Sequence, residues 1–441
     1  MVGPKGLIVS AAASGSGKTI VTLGCLRALR RAGIAAAGAK VGPDYVDPAF
    51  HAAASGRPGF GLDTWAMRSQ TLDGLLSAYA SDGSLVVCEG VMGLFDGAKG
   101  GAGATADLAA RTGWPVILVV DASGQAASAA ALVQGFARHR ADVTVAAVVF
   151  NRVGGPGHEA ILRDAMERHV PGVRVLGCIA RDERLTLPSR HLGLVQAGEH
   201  ANLESFLEAA ADAIAGALDL EGLRALARPA RLTGADGHRA VPCPVAPLGQ
   251  RIAVASDSAF AFCYESVLRG WREAGAEVVP FSPLAGDGPD ASAGAVYLPG
   301  GYPELHAGRI AESGFLSRLR EAAGKGATVY GECGGYMVMG RGLEDGDGRR
   351  FAMAGLLPLE TSFAKRRLHI GYREVETGGA SPLGPAGTRF RGHEFHFATL
   401  ASPETGPYLF TGRDAEGAKL GGLGAVSGRI AGSFVHLIDR A

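Results

Sequence analysis

The sequence has no excess of charge of either sign and no long apolar run. Lys plus Arg and Asp plus Glu number 43 each, so no net field draws the molecule toward nucleic acid or an anionic membrane. No stretch approaches the roughly 18 uninterrupted apolar residues of a transmembrane helix. We therefore expect a protein that binds neither nucleic acid nor membrane and that holds any phosphate group by a local device.

Paired cysteines are also lacking, because the six cysteines are scattered and form no CxxC motif: Cys25, Cys88, Cys178, Cys243, Cys263 and Cys333. A disulfide framework and a zinc site are not expected, and the chain is predicted to work in the reducing cytoplasm. The start, MVGPKGLIVSAAAS, faintly resembles a signal peptide. Its apolar run leads straight into a phosphate-binding loop, so we expect no cleavage there.

The length of 441 residues exceeds one ordinary core and predicts two domains. In the first half, Ala-rich helical stretches separate short apolar runs, which are GLIVSA, LVVCEG, VILVVDA, VAAVVFN and VRVLGCI. Runs that are apolar on both faces indicate strands buried in a parallel sheet. Their alternation with helices predicts a doubly wound, mainly parallel α/β domain, which we assign to residues 1–228.

A segment rich in Pro and Gly separates the two halves of the chain. Residues 229–249 lack periodicity and are predicted to form a linker. Strand and helix patterns resume at RIAVASD and continue through WREAGAEVVPFSP, GAVYLPGG and ATVYGECGG. Residues 250–441 are therefore predicted to form a second α/β domain.

A phosphate-binding motif follows the first apolar run. AASGSGKT lies between a predicted strand and a predicted helix and supplies Gly15, Ser16, Gly17, Lys18 and Thr19. In such a loop, backbone N–H groups face the phosphates, the Lys reaches the β/γ oxygens and the hydroxyl binds Mg²⁺. Ala12 replaces the usual first glycine. The alternative is a Gly-Ser turn with a chance Lys-Thr, but the strand–loop–helix context favours ATP binding.

Four carboxylates lie in two loops that follow strands of this predicted sheet: Asp44, Asp47, Glu89 and Asp96. Ligands of open α/β sheets bind outside the carboxyl ends of the strands, where a carboxylate can hold Mg²⁺ directly or through water. Asn151 ends another strand, and its amide could contact a nucleotide base. Each acid alone could cap a helix or a turn, but together they favour an active site.

One cysteine has the context of a nucleophile. In TVYGECGG, Cys333 lies where a strand enters a glycine turn and a helix, as in the nucleophile elbow of hydrolases. A helix N-terminus lowers a thiol pKa and predicts a reactive thiolate, whereas the alternative is a buried, inert cysteine. Gly300 and Gly301 end VYLPGG and could form an oxyanion hole. His436 in AGSFVHLID could act as the base for the thiol.

With these motifs, the chain resembles two known kinds of enzyme. The second half resembles a class I glutamine amidotransferase domain of the cobyric acid type, and the first half resembles the dethiobiotin-synthetase-like ATP-dependent ligases. The segments that carry a resemblance to the cobyrinic and hydrogenobyrinic acid a,c-diamide synthase family are KVGPDYVDPAFH, CEGVMGLFDG, LPSRHLGLV, LPGGYPE, GECGGYM and RGHEFHF. This resemblance covers essentially the whole chain.

The resemblance implies ATP-dependent amidation of a corrin ring, either cobyrinate or hydrogenobyrinate. ATP would phosphorylate the a and c acetate carboxylates, and ammonia from L-glutamine would attack each acyl phosphate. Making ammonia beside the acyl phosphate keeps it from protonation and protects the intermediate from water.

Residue roles follow from the same resemblance. Cys333 is implied as the nucleophile that forms a glutamyl thioester, and His436 as its general base. The ligase site is implied to use Lys18 for phosphate, Thr19, Asp44 and Glu89 for Mg²⁺, and also Asp47 and Asp96. Corrin contacts are implied for Tyr45, Arg190 and His191.

One departure from the amidotransferase pattern concerns the acid that orients the base. Many class I amidotransferases have a Glu two residues after the His, but Ile438 occupies that position here. Either the site works as a dyad, or Asp439 or Glu394 replaces the missing acid. GHEFHF lacks the HExxH spacing of a helical zinc site, and its alternation predicts a strand that lines a pocket.

Other assignments with related chemistry stay open, namely cobyric acid synthase and the nickel-sirohydrochlorin a,c-diamide synthase. An alternative of a different class is a partition-type ATPase switch. That switch predicts a second lysine near Ala12, which is absent, and it leaves Cys333 unexplained. A homodimer is expected by analogy with ligases of this fold.

Overall fold

The computed structural model describes residues 3–81, 83–186, 189–190, 193–194, 196–200, 202–233, 243–401 and 406–441, with residues 189–190 and 193–194 described by their backbone alone. The chain divides into two compact units. The first unit comprises residues 1–65 and 72–239, and the second comprises residues 66–71 and 240–441. Part of the predicted linker, residues 234–242, lies outside the described residues.

The strands of the first unit are β1 (Lys5–Ala11), β2 (Ala36–Val41), β3 (Phe60–Leu62), β4 (Leu85–Glu89), β5 (Val116–Asp121), β6 (Val145–Val153), β7 (Arg174–Ala180), β8 (Ser189–Arg190), β9 (Gly193–Leu194) and β10 (Arg228–Pro229). The main sheet has the order β3-β2-β4-β1-β5-β6-β7, and β10 pairs antiparallel with β1. Except for β10, its strand pairs are parallel. This confirms the predicted parallel α/β sheet.

The helices of this unit are α1 (Lys18–Arg31), α2 (Asp47–Ser55), α3 (Ser69–Ser81, with its first turn in the second unit), α4 (Thr105–Thr112), α5 (Ser128–His139), α6 (Pro156–His169), α7 (Leu203–Ala217) and α8 (Leu220–Leu226). Leu7, Ile8 and Val9 of β1 have no exposed surface, because a central parallel strand is covered on both faces. The continuous apolar runs of the sequence are the consequence.

The strands of the second unit are β11 (Arg251–Ala255), β12 (Glu277–Phe281), β13 (Ala295–Leu298), β14 (Thr328–Glu332), β15 (Gly342–Glu344), β16 (Arg350–Ala352), β17 (Glu360–Ser362), β18 (His369–Thr377), β19 (Arg389–His396), β20 (Thr399–Leu400), β21 (Tyr408–Asp414), β22 (Lys419–Ser427), β23 (Ile430–Ser433) and β24 (Val435–Arg440). The large sheet has the order β12-β11-β13-β14-β23-β22-β21-β18-β19-β24. The first five strands in this order, which are β12, β11, β13, β14 and β23, pair in parallel. The remaining pairs of this sheet are antiparallel.

The helices of the second unit are α9 (Glu265–Glu273), α10 (Ala307–Glu312), α11 (Phe315–Gly324) and α12 (Gly334–Met339). Helix α12 is short and follows β14 after a single residue, Cys333. Among the described residues, no helix has both the length and the apolar character needed to cross a membrane.

A buried ion pair ties the 66–71 segment to the last strand of the second unit. Asp439 has no exposed surface, and its Oδ1 lies 2.7 Å from Nη2 of Arg68. Its Oδ2 accepts the Arg68 backbone N–H at 2.8 Å. The Asp439 carboxylate is therefore committed to Arg68.

This pair predicts an asymmetric effect of substitution on stability. Arg68→Met leaves the buried Asp439 carboxylate without its cation and should lower the free energy of unfolding by about 3 kcal/mol. The matched control, Arg31→Met, removes an exposed pair with Asp212 and should cost less than about 1 kcal/mol. Urea denaturation followed by fluorescence measures both changes. Equal losses in the two variants would contradict the role of the buried pair.

Candidate active sites

The phosphate-binding loop has the expected position between β1 and α1. Gly15 and Gly17 have φ angles of +79° and +100°, which an L-residue with a side chain rarely adopts. A Cβ on Gly17 would lie 2.2 Å from Nδ2 of Asn151. That amide donates to the carbonyl of Ser16 at 2.9 Å. Asn151 thus supports the loop, and its contact with a nucleotide base stays a prediction.

The two polar side chains that begin α1 face the loop after β4. Lys18 Nζ donates to the carbonyl of Met92 at 2.5 Å, and Thr19 Oγ1 donates to Oε1 of Glu89 at 2.6 Å. Burial lowers the pKa of Lys18, and the nearby Lys40 lowers it further. A cavity of about 630 Å³ includes Gly15, Gly17, Lys18, Thr19, Asn151 and Arg152 in its lining, so the loop borders a space that could hold a nucleotide.

A buried charge cluster lies beside this cavity and contains two residues that the sequence reasoning missed, Lys40 and His51. Lys40 Nζ lies 2.5 Å from Asp47 Oδ2 and 3.0 Å from Glu89 Oε1. His51 Nε2 lies 2.8 Å from Glu89 Oε2. The available signal was a single lysine inside an otherwise apolar strand, β2, because such a charge needs a buried partner.

The electrostatics of this cluster keep Glu89 ionised. Burial by itself would raise the pKa of Glu89, but Lys40 and the hydrogen bonds from His51 and Thr19 lower it below its usual value. Burial opposes the charge of Lys40 as well, yet Asp47 and Glu89 raise the pKa of Lys40 overall. The carboxylate is thus presented as an anion next to the Thr19 hydroxyl.

The other predicted acids make local contacts in their loops. Asp44 Oδ1 accepts the backbone N–H groups of Val46 and Asp47 at 2.8 and 3.0 Å, at the start of α2. Asp96 Oδ2 accepts the N–H of Gly93 at 2.9 Å. These contacts cap a helix and a turn, as expected if each acid has only a local structural role. The catalytic roles of Asp44 and Asp96 stay predictions.

The predicted corrin contacts are only partly within the described residues. Tyr45 is buried in the loop between β2 and α2. Arg190 lies in β8, but its side chain is outside what the structure describes, and His191 lies outside the described residues altogether.

The charge cluster predicts a selective loss of the ATP-dependent chemistry. Lys40→Met leaves Glu89 and Asp47 buried without their cation, so ATP-dependent turnover should fall at least about 100-fold. Glutamine hydrolysis, measured as glutamate release, should persist because the second unit carries it. The exposed Lys5 provides the control variant Lys5→Met. A Lys40→Met variant with normal ATP consumption would contradict this role.

The predicted nucleophile of the second unit lies at a strained turn. Cys333 has φ +47° and ψ −109°, which costs energy for a residue with a side chain. Its Sγ lies 3.7 Å from the carbonyl oxygen of Phe395. Burial raises the pKa of Cys333, Glu304 raises it further, and the N–H of Gly334 only partly opposes them. The expected lowering of this pKa is therefore wrong, and the thiol needs a base.

Gly300 lies against both His436 and Cys333, and Gly301 lies against Gly334, the residue after the cysteine. A Cβ on Gly300 would lie 2.3 Å from Cε1 of His436, 3.0 Å from its Nε2 and 3.2 Å from Cβ of Cys333. A Cβ on Gly334 would lie 2.9 Å from the backbone N of Gly301. Burial and the nearby His393 lower the pKa of His436 to about 3, so the imidazole is neutral.

Asp439 and Glu394, the two acids expected to replace the missing triad residue, hydrogen-bond to side chains other than His436. Asp439 bonds to Arg68 through both of its carboxylate oxygens. Glu394 accepts from Arg373 Nε at 2.7 Å and lies 2.8 Å from His396 Nε2. The carboxylate that does approach His436 is Glu332, with its Oε2 3.9 Å from Nδ1, and sequence reasoning missed it.

Three side chains on the neighbouring strands resemble a metal site. Ligand atoms of His369, Glu394 and His396 lie within 4.8 Å of one another. However, the Arg373 guanidinium occupies one oxygen of Glu394, and its positive charge opposes a cation there. The strand predicted for this stretch is confirmed as β19, and its role in lining a pocket stays a prediction.

The close approach at Gly300 predicts a strong effect of one methyl group. Gly300→Ala should displace His436 or Cys333 and lower the rate of glutamine hydrolysis about 100-fold. Gly294→Ala is the matched control, because a Cβ there meets nothing within 4 Å. Glutamate release under saturating glutamine measures both. Similar rates for the two variants would show that Gly300 does not border the reacting atoms.

The first unit has a parallel sheet with a phosphate loop. The second unit has Cys333 at a strand-to-helix turn and His436 on β24. Together they define the architecture of a glutamine-dependent, nucleotide-binding enzyme. Family models agree with this division. Residues 7–195 match the "CobQ/CobB/MinD/ParA nucleotide binding domain", and residues 251–440 match the "CobB/CobQ-like glutamine amidotransferase domain".

Full-length relatives narrow the class. The chain is 54% identical over 439 residues to hydrogenobyrinate a,c-diamide synthase of Rhizobium meliloti (strain 1021), covering 98% of this chain and 99% of the relative. It is 51% identical over 440 residues to the protein of the same name from Rhodobacter capsulatus, covering 99% of both. The chain therefore belongs to the hydrogenobyrinate a,c-diamide synthase family.

Proposed function

We propose that this protein amidates the a and c acetate carboxylates of hydrogenobyrinic acid, with ATP as phosphoryl donor and glutamine as nitrogen donor. The observation that carries the proposal is that one chain holds both a phosphate loop facing an ionised Glu89 and a cysteine–histidine site. The relatives that share half of its residues along their whole length carry this name. That name favours the metal-free ring over cobyrinate as the substrate.

In the first unit, the proposed reaction activates a carboxylate. Backbone N–H groups of the loop and Lys18 hold the β/γ-phosphates while the acetate oxygen attacks the γ-phosphorus, which forms an acyl phosphate and ADP. Ammonia then attacks the acyl carbon, and phosphate leaves. Tyr45, Arg190 and His191 are proposed as corrin contacts.

We include Mg²⁺ in the proposal. The Thr19 hydroxyl and the Glu89 carboxylate are 2.6 Å apart and are the kind of oxygen ligands that Mg²⁺ prefers. Asp44 and Asp96 offer further carboxylates in the loops after β2 and β4, and Asp47 is paired with Lys40. When bound, the cation would neutralise charge on the transferred phosphoryl group.

In the second unit, the proposed reaction releases ammonia from glutamine. The Cys333 sulfur attacks the amide carbon of glutamine, His436 takes the thiol proton, and N–H groups at Gly300 and Gly301 hold the developing oxyanion. A homodimer in the reducing cytoplasm is part of the proposal, by analogy with ligases of this fold.

A mass-spectrometric count of amidations tests the proposal. The enzyme is incubated with ATP, Mg²⁺ and glutamine together with hydrogenobyrinic acid, its cobalt form or a sirohydrochlorin. Two amidations of hydrogenobyrinic acid are expected. Amidation of only the sirohydrochlorin, or of none of the three, would overturn the proposed substrate.

A comparison of two variants separates the roles of the two units. Cys333→Ala should lose at least about 1,000-fold of its glutamine-dependent amidation and keep ammonium-dependent amidation. Lys18→Ala should lose both, because it removes the phosphoryl transfer. Full glutamine-dependent activity in Cys333→Ala would show that the cysteine is only part of the core.

A further inference from the structure

We infer that Glu332, the residue directly before the predicted nucleophile, positions His436 in the glutaminase reaction. Glu332 thereby replaces the Glu that many class I amidotransferases have at the position of Ile438. Glu332 approaches Nδ1 of the imidazole at 3.9 Å, so it is a positioning residue. The inference rests on the proposed glutaminase function of the second unit and adds to it the missing third member of the catalytic arrangement.

Strand register brings Glu332 into a ring of hydrogen-bond donors. Tyr330 and Glu332 are two residues apart on β14 and share a face, and Tyr330 pairs with Tyr297 of β13. The two phenol rings are nearly parallel, at 9°, with centroids 5.9 Å apart. Their hydroxyls donate to the carboxylate, from Tyr297 to Oε2 at 2.7 Å and from Tyr330 to Oε1 at 3.0 Å.

A third donor ties the same carboxylate to the strand that carries the base. The backbone N–H of Leu437 donates to Oε1 of Glu332 at 3.1 Å, and Leu437 directly follows His436. An ionised carboxylate accepts about four hydrogen bonds, and three are accounted for. The remaining site is on Oε2, which lies 3.9 Å from Nδ1 of His436. A small closing movement would make this a hydrogen bond.

Burial disfavours the charged form of both groups. Burial raises the pKa of Glu332 to about 7, against the hydrogen bonds from Tyr297, Leu437 and Tyr330. His436 is neutral. A carboxylate beside Nδ1 holds the imidazole proton on that nitrogen and leaves the lone pair of Nε2 for the thiol. The other titratable groups that act on this pair or its tyrosines are Cys263, Cys333, His393, His396 and Glu394.

The two other candidate acids are committed elsewhere. Asp439 is held by Arg68 on both oxygens, and Glu394 is held by Arg373 and His396. Glu332 is 3% exposed, and its Oε2 lies 3.9 Å from Nδ1 of His436. A buried carboxylate at this position costs desolvation energy, and orientation of the base accounts for it.

The proton balance places Glu332 as a bystander that keeps its charge. The Cys333 proton moves to Nε2 as sulfur bonds to the glutamine amide carbon, and that proton then passes to the leaving nitrogen as the carbon–nitrogen bond breaks. Water attacks the resulting thioester, releases glutamate and restores the thiol. Glu332 stabilises the transient imidazolium without accepting a proton.

Glutamate release by Glu332→Gln tests the inference. The carboxamide keeps the size of the side chain, but its NH₂ group would face Nδ1 and favour the wrong imidazole tautomer. We expect kcat for glutamine hydrolysis to fall about 10- to 100-fold with KM changed less than about threefold. The rate at which iodoacetamide alkylates Cys333 should fall in parallel, and ammonium-dependent amidation should match the wild type.

Controls separate this inference from the proposed function and from misfolding. Glu374→Gln, which removes the surface partner of Arg391, should leave all three rates unchanged. In a His436→Gln background, Glu332→Gln should cost no more than about twofold, because the partner is already lost. Absence of corrin amidation even with ammonium would contradict the proposed function alone, since glutamate release is measured without a corrin.

Two outcomes would overturn the role of Glu332. One is a folded Glu332→Gln enzyme with kcat for glutamine hydrolysis within twofold of the wild type. The other is an equal loss of ammonium-dependent amidation, which would indicate a general structural role. If Glu332→Gln does not fold, Glu332→Asp decides the question. Its retracted carboxylate should lower glutamine hydrolysis at least about fivefold, and wild-type hydrolysis would reject the inference.

Discussion

Both candidate sites depend on one constraint, which is that parallel strands end at the same edge of a sheet. In the first unit, β1 and β4 are neighbours in parallel register, so the phosphate loop after β1 meets Glu89 at the end of β4. In the second unit, β13 and β14 are parallel neighbours. The glycines after β13 therefore meet Cys333 after β14. Each site is assembled from segments far apart in the chain because the sheet edge gathers them.

Glu89 and Glu332 are buried carboxylates at these two edges, and a buried charge costs desolvation energy. Their surroundings offset that cost in different ways. Glu89 is paired with the buried cation of Lys40 and with Thr19 and His51, which lower its pKa. Glu332 accepts hydrogen bonds from the neutral groups of Tyr297, Tyr330 and Leu437, and burial raises its pKa to about 7. The first arrangement keeps a permanent anion next to a phosphate loop. The second places a carboxylate beside Nδ1 of a neutral histidine, where it can orient the imidazole.

Much of the fold was readable in the sequence, because each buried strand is a short apolar run and each phosphate or nucleophile turn is rich in glycine. Lys18, Thr19, Glu89, Cys333 and His436 were predicted in this way, and their catalytic roles stay predictions. Lys40 and His51 were missed because their partner, Glu89, is about 40 to 50 residues away. The direction of the Cys333 pKa was also mispredicted, since a local helix start was considered and the burial of the thiol was not.

The sequence by itself determined the fold class, the phosphate loop and the displayed cysteine, because these depend on residues that are adjacent in the chain. Only the tertiary structure decided which acid approaches His436. A search downstream of the histidine led to Ile438 and Asp439, but the Asp439 carboxylate is paired with Arg68. The carboxylate came from β14, about 100 residues earlier, through the Leu437–Glu332 hydrogen bond. Strand pairing and burial set that contact, and no local spacing encodes it.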